Sequence, residues 1–212
     1  MSATVAPTVL APDLEQYRVQ LEKISFAQRI QIDISDGKFA DRRTIQSIEA
    51  HWPDGVAADF HLMVDHPRQN LEALLAKHPN LIIVHAEAKA VDEALDFLND
   101  YQQAAGLALL PQTQVESVAM KLASVQHCLI FGGQLGHMGG EADLSQLDKI
   151  RQIREINPEI EIGWDGGANA DNVLQLAEAG VDVINVGSAI HSASNPKAAY
   201  ARLQSVVNEG NT

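Results

Sequence analysis

Gln31-Ile32-Asp33-Ile34-Ser35-Asp36-Gly37 is the stretch whose reading decides the fold. Polar and β-branched residues alternate along it, and the alternation breaks at Asp-Gly, as in a strand running into a turn. Period-two geometry puts Gln31, Asp33 and Ser35 on one face and Ile32 and Ile34 on the other. In an otherwise apolar α/β chain, three polar side chains on one strand face either fill a polar barrel interior or form a site.

The same unit recurs on both sides of this stretch. Further strands are expected over Thr8–Ala11, Val56–Val64, Leu81–His85, Leu107–Leu110, His127–Phe131, Ile160–Trp164 and Val181–Val186. Helical spacing follows each of them. It begins after Pro12-Asp13 (Leu14, Tyr17, Leu21, Ile24) and continues across Thr44–His51, from Pro67, and over Val91–Gln103 and Thr113–Ala123. The last three helices are expected at Leu144–Ile156, Asp171–Ala179 and Pro196–Val207. Eight βα units in 212 residues, with no break in composition, predict a single-domain α/β fold of the (β/α)8 TIM barrel type over residues 1–212. The polar and glycine-rich residues fall at the C-terminal ends of the strands, the face where such barrels carry their sites.

Composition narrows the function classes. The formal net charge is −13, which argues against nucleic-acid binding and makes the overall field repel an anionic substrate. An anion would then have to be held by local backbone N–H groups and helix N-termini. No apolar run approaches the length needed to span a bilayer, and the N-terminus lacks the features of a secretory signal. The one cysteine, Cys128, reads as a buried strand residue. These features fit a soluble cytoplasmic protein.

Three signals gather at the C-terminal ends of the strands. Asp33, late in the second strand, and Asp165, after the seventh, can face each other across a barrel mouth. Carboxylates on opposite sides of one carbon suit proton removal on one face and delivery on the other. Read singly, Asp165 could begin a turn and Asp33 could be an interior polar residue. His61 in the third strand shares a face with Asp59 and Met63. It is either a satisfied core residue or, flanked by Asp33 and Asp165, part of an N/O set suited to Zn²⁺, Mn²⁺ or Fe²⁺. His85 ends the fourth strand and is ambiguous. Gly136, Gly139 and Gly140, then Gly166-Gly167, then Gly187-Ser188 follow strands six, seven and eight, where barrels place phosphate sites.

With these residues in place, the chain resembles the ribulose-phosphate 3-epimerase family. The matching segments are Pro7-Thr8-Val9-Leu10, Ile32-Asp33-Ile34 with Asp36-Gly37, Phe60-His61-Leu62-Met63, Val84-His85-Ala86-Glu87, Gly139-Gly140, Asp165-Gly166-Gly167 and Gly187-Ser188-Ala189-Ile190. The resemblance implies an isomerase of carbohydrate metabolism, in the pentose phosphate pathway. It would move one proton at the carbon next to a carbonyl of ribulose 5-phosphate, xylulose 5-phosphate or a related ketose phosphate through an enediolate. It also implies Asp33 and Asp165 as the acid/base pair and Asp33, His61 and Asp165 as ligands of a divalent metal. Gly139, Gly140, Gly166, Gly167, Gly187, Ser188 and Met63 would contact substrate or its phosphate, and the protein would be a homo-oligomer without nucleic-acid or membrane partners.

The chain also departs from the family pattern. Gln31 stands where a histidine ligand is expected, Ala11 where a serine is, and Ser35 where a methionine is. A neutral amide oxygen is a weak metal donor. Two alternatives therefore stay open: a non-catalytic or metal-free sugar-phosphate-binding paralogue, and an aldolase- or decarboxylase-type reaction on the same barrel. The related hexulose-phosphate synthase group has a lysine two residues after the strand-three aspartate, where this chain has His61.

Overall fold

A computed structural model describes residues 3–209 of the chain. Eight parallel strands close on themselves: β1 (Thr4–Val9), β2 (Arg29–Ser35), β3 (Ala57–Met63), β4 (Leu81–His85), β5 (Ala105–Leu109), β6 (His127–Phe131), β7 (Glu161–Asp165) and β8 (Val183–Val186). They pair in sequence order, and β8 returns to β1 with Pro7 opposite Val186. This is the expected (β/α)8 barrel, and closure leaves no strand edge exposed. The helices are α1 (Leu14–Lys23), α2 (Arg68–Leu75), α3 (Val91–Asp100), α4 (Ala119–Leu122), α5 (Asp148–Ile156), α6 (Val173–Glu178), α7 (Ser188–His191) and α8 (Pro196–Glu209). Asp13 caps α1 by accepting from the Gln16 N–H at 2.8 Å.

The expected helix across Thr44–His51 does not form. Its backbone is drawn into other bonds: Thr44 N–H donates to Ser35 O, Ile45 N–H donates to Ala11 O, and Thr44 Oγ1 accepts from Ser35 N–H. Helix propensity loses to these non-local partners, and β2 crosses to β3 through turns. The crossover after β5 is shorter than the helix expected at Thr113–Ala123, a 3₁₀ turn over Val115–Val118 leading into α4. β8 is followed by a short extra helix, α7, that the spacing did not reveal.

Alternation divides the core in two. Outward strand residues such as Ile32, Phe60, Trp164 and Ile184 pack with the helices in one large cluster, to which Cys128 belongs. Inside the barrel, Leu81, Ile83, Ala108 and Leu129 form a small apolar cluster. Polar and charged side chains share the interior with apolar ones such as Phe131, whose ring lies against His61 and His85. At the N-terminal end of the barrel, Arg29 donates to Asp59 at 2.6 Å and grips both oxygens of Glu161 at 2.7 Å, while His127 Nδ1 meets Glu161 Oε2 at 2.8 Å. This ionic plug closes the bottom, so the chemistry is confined to the opposite mouth.

Candidate active site

β2, β3 and β7 each deliver one inward residue to the same point. Asp33 pairs in register with His61, and Asp165 reaches the point from the far side of the barrel. His61 Nδ1 lies 3.1 Å from Asp33 Oδ1 and 3.5 Å from Asp165 Oδ2. Gln31, one layer lower on β2, donates through Nε2 to Asp33 Oδ1 at 3.0 Å and to Asp165 Oδ2 at 2.6 Å. A single imidazole and a single amide therefore bridge both carboxylates. Asp33 and His61 are buried, and Asp165 is half-buried at the rim.

Burial raises the Asp33 carboxyl above the ordinary aspartate range, and the charge of Asp165 adds to the rise, against the pull of the His61 contact. Burial opposes charge on His61, but its bonds to Asp165 and Asp33 outweigh that and raise it above the usual histidine value. Burial and the neighbouring charge of His61 push His85 down to about 4. The two rings meet Nε2 to Nε2 at 2.8 Å, a contact that needs one donor and one acceptor. The opposed shifts make His61 the donor and neutral His85 the acceptor. His85 Nδ1 in turn lies 3.3 Å from Glu87 Oε2, and Glu87 is anchored by Leu110 N–H and Thr113 Oγ1. Phe39 tilts against the His85 ring at 4.7 Å between centroids. The ambiguous His85 thus belongs to the site, joined to it through the Val84-His85-Ala86-Glu87 segment.

Most of the residues expected to hold phosphate share a cavity with the two carboxylates. Asp33, Asp165, Gly139, Gly166, Gly167, Gly187 and Ser188 line one cavity of about 30 Å³ with Thr8 and Asn185. Gly187 precedes α7 and Ser188 opens it. Gly166 has a φ of 115°, and a Cβ there would collide with Gly133 N, so glycine lets the β7 turn lie against the loop after β6. Met138 from that loop lies across Gly187, where a Cβ would approach its Cγ to 2.8 Å. Gly140 and Met63 are not among the lining residues; Met63 is buried at the end of β3.

Asp33, His61 and Asp165 each bring one ligand atom to within 4.8 Å of the others, and one nitrogen with two carboxylates suits a divalent ion of the zinc, manganese or iron type. The residues present fit such an ion. Gln31 adds at most a neutral oxygen, Oε1, which is buried and has no hydrogen-bond partner among the described residues.

Residues 4–191 match the model of the Ribulose-phosphate 3 epimerase family. The chain belongs to that family. A ribulose-phosphate 3-epimerase of Helicobacter pylori strain J99 is 30% identical over 211 residues, covering 95% of this chain and 97% of that protein. One from Mycobacterium leprae is 32% identical over 219 residues, covering 96% and 95%. Among solved structures, 3-hexulose-6-phosphate synthase from Salmonella typhimurium superposes with a TM-score of 0.72 at 14% identity, over 99% of this chain and 100% of that one. Orotidine 5'-monophosphate decarboxylase from Sulfolobus solfataricus gives 0.64 at 16%, over 99% and 100%. At such identities these two show the fold alone. Among the described residues no helix is long and apolar enough to cross a membrane.

Proposed function

We propose that the chain is a sugar-phosphate epimerase that inverts the carbon next to the carbonyl of a ketose phosphate, with ribulose 5-phosphate and xylulose 5-phosphate as the reference pair. The observation that carries this is the convergence of Asp33 and Asp165, from opposite sides of the barrel, on one imidazole and one amide. A carbon held between them presents one face to each carboxylate. One removes the proton as a carboxylate, and the other returns a proton to the opposite face. Burial equips Asp33 to hold that proton near neutral pH. His61 binds both aspartates through Nδ1 and His85 through Nε2, so it holds the pair in place beside the oxygen that becomes negative as the enediolate forms. The phosphate rests on the Gly139, Gly167 and Gly187-Ser188 backbone, an arrangement that needs no basic side chain in a chain of net charge −13.

A divalent ion, when bound by Asp33, His61 and Asp165, would supply Lewis-acid stabilisation of the same oxygens. A cytoplasmic location and a homo-oligomeric state go with this reading through the family resemblance. The test is solvent-deuterium incorporation at the reacting carbon of ribulose 5-phosphate. Asp33→Asn and Asp165→Asn should each lower incorporation by about 10²–10⁴-fold; undiminished exchange in both variants overturns the assignment.

A further inference from the structure

Asn185 is a buried carboxamide for which the fold provides no partner. It is 3% exposed, its side chain makes no hydrogen bond among the described residues, and its Oδ1 is sealed from solvent. Leaving such a group unpaired costs about 1–3 kcal/mol, and an apolar side chain of equal size would avoid that cost. Packing therefore gives no reason for an amide at this point of β8, whose other residues are Val183, Ile184 and Val186.

Its position supplies the reason. Asn185 lies beside Asp165 in strand register, points into the same cavity, and stands two residues below Gly187, about 7 Å along the strand. Thr8 Oγ1, on the adjacent strand and lining the same cavity, is likewise buried without a partner among the described residues. A ketose phosphate with its phosphate at Gly187-Ser188 and its reacting carbon between Asp33 and Asp165 passes its intervening carbon across this wall.

We propose that Asn185 is a specificity-determining residue whose carboxamide hydrogen-bonds a hydroxyl on the substrate carbon between the phosphate-bearing carbon and the reacting carbon. The proposal rests on the epimerase reading above. The ligand it selects is a polyhydroxylated ketose phosphate, since a hydroxyl both donates to and accepts from an amide, whereas a deoxy carbon leaves the amide orphaned.

The test compares kcat/KM for ribulose 5-phosphate and its 4-deoxy analogue in the natural protein, in Asn185→Leu and in the smaller Asn185→Val. The natural protein should prefer the hydroxylated substrate by about 100-fold or more. In either folded variant that preference should fall by about tenfold or more, through loss on the hydroxylated substrate, while the deoxy compound changes little. Thermal stability should hold or rise, because an unpaired buried amide has gone. Equal losses on both substrates, as for an amide that only holds a structural water, or an unchanged preference, overturn the proposal and leave the epimerase standing. Turnover of neither substrate by the natural protein overturns the epimerase reading and this proposal with it.

Discussion

Gln31 Nε2 donates to Asp165 Oδ2 at 2.6 Å and to Asp33 Oδ1 at 3.0 Å, so one neutral amide ties together carboxylates that arrive from β7 and β2. Two negative groups this close repel, and something must offset that repulsion. In this chain the amide and the His61 imidazole do so, each by bridging the pair.

Replacing that amide by an imidazole changes what the pair can hold. Gln31→His adds a nitrogen ligand to Asp33, His61 and Asp165 and removes the amide N–H groups that occupy the two ligand oxygens. Affinity for Zn²⁺ or Mn²⁺ should rise by about tenfold or more. Metal content after dialysis against a weak chelator measures it. An unchanged content would show that position 31 does not face the ion.

The contact between His61 and His85 makes a stability prediction. His61 Nε2 is fully buried, and His85 Nε2 is its acceptor at 2.8 Å. His85→Leu leaves a charged ring with an unmet N–H and should cost about 1–3 kcal/mol in urea unfolding. His85→Gln, whose Oε1 can accept in that place, should lose less. Equal losses would mean that packing against Phe39, not the hydrogen bond, is what His85 provides.

How much of this was legible depended on whether the cause was local. Strand patterning and turn residues located seven strands closely, but the first runs over Thr4–Val9 rather than the expected Thr8–Ala11; the Asp33 and Asp165 positions followed from strand ends. The missing helix at Thr44–His51 was invisible because its competitors, Ser35 O and Ala11 O, are remote in sequence. His85 stayed ambiguous for the same reason, since its partner lies 24 residues away on β3. Asn185 did carry a signal, a lone polar residue in Val183-Ile184-Asn185-Val186 at period two from Gly187.

The ionic plug at the barrel floor should set the acid limit of stability. Burial disfavours the Glu161 charge, but Arg29 and His127 outweigh it and hold the carboxyl well below the ordinary glutamate range. A depressed folded-state value contributes stability that is complete above about pH 4.3, the unfolded value, and drains away as pH falls further. Glu161→Gln should therefore lower the melting temperature at pH 7, with the difference from the natural protein shrinking below about pH 4. Arg29→Met should cost more, about 2–4 kcal/mol, because it leaves the Asp59 charge, 2% exposed, with the neutral Asn80 amide in place of a cation. Glu161, 37% exposed, finds water instead and adds little to that loss. A pH-independent gap for Glu161→Gln would assign the loss to packing.

Gly166 lies where the turn after β7 meets the loop after β6, beside Asp165. Its φ of 115° lies where side chains with a Cβ are strained, and that Cβ would also meet Gly133 N and Cα. Neither neighbour is a flexible side-chain end, so relief must come from moving one backbone away from the other. Strain of about 1–3 kcal/mol at the dihedral adds to the cost of that displacement. Gly166→Ala should accordingly lower stability and, by shifting the Asp165-Gly166-Gly167 turn, weaken binding of inorganic phosphate. The two effects separate by titrating phosphate at a temperature where the variant is fully folded. Weakened binding there shows that the turn positions the anion site, and natural binding shows that the glycine serves only loop packing.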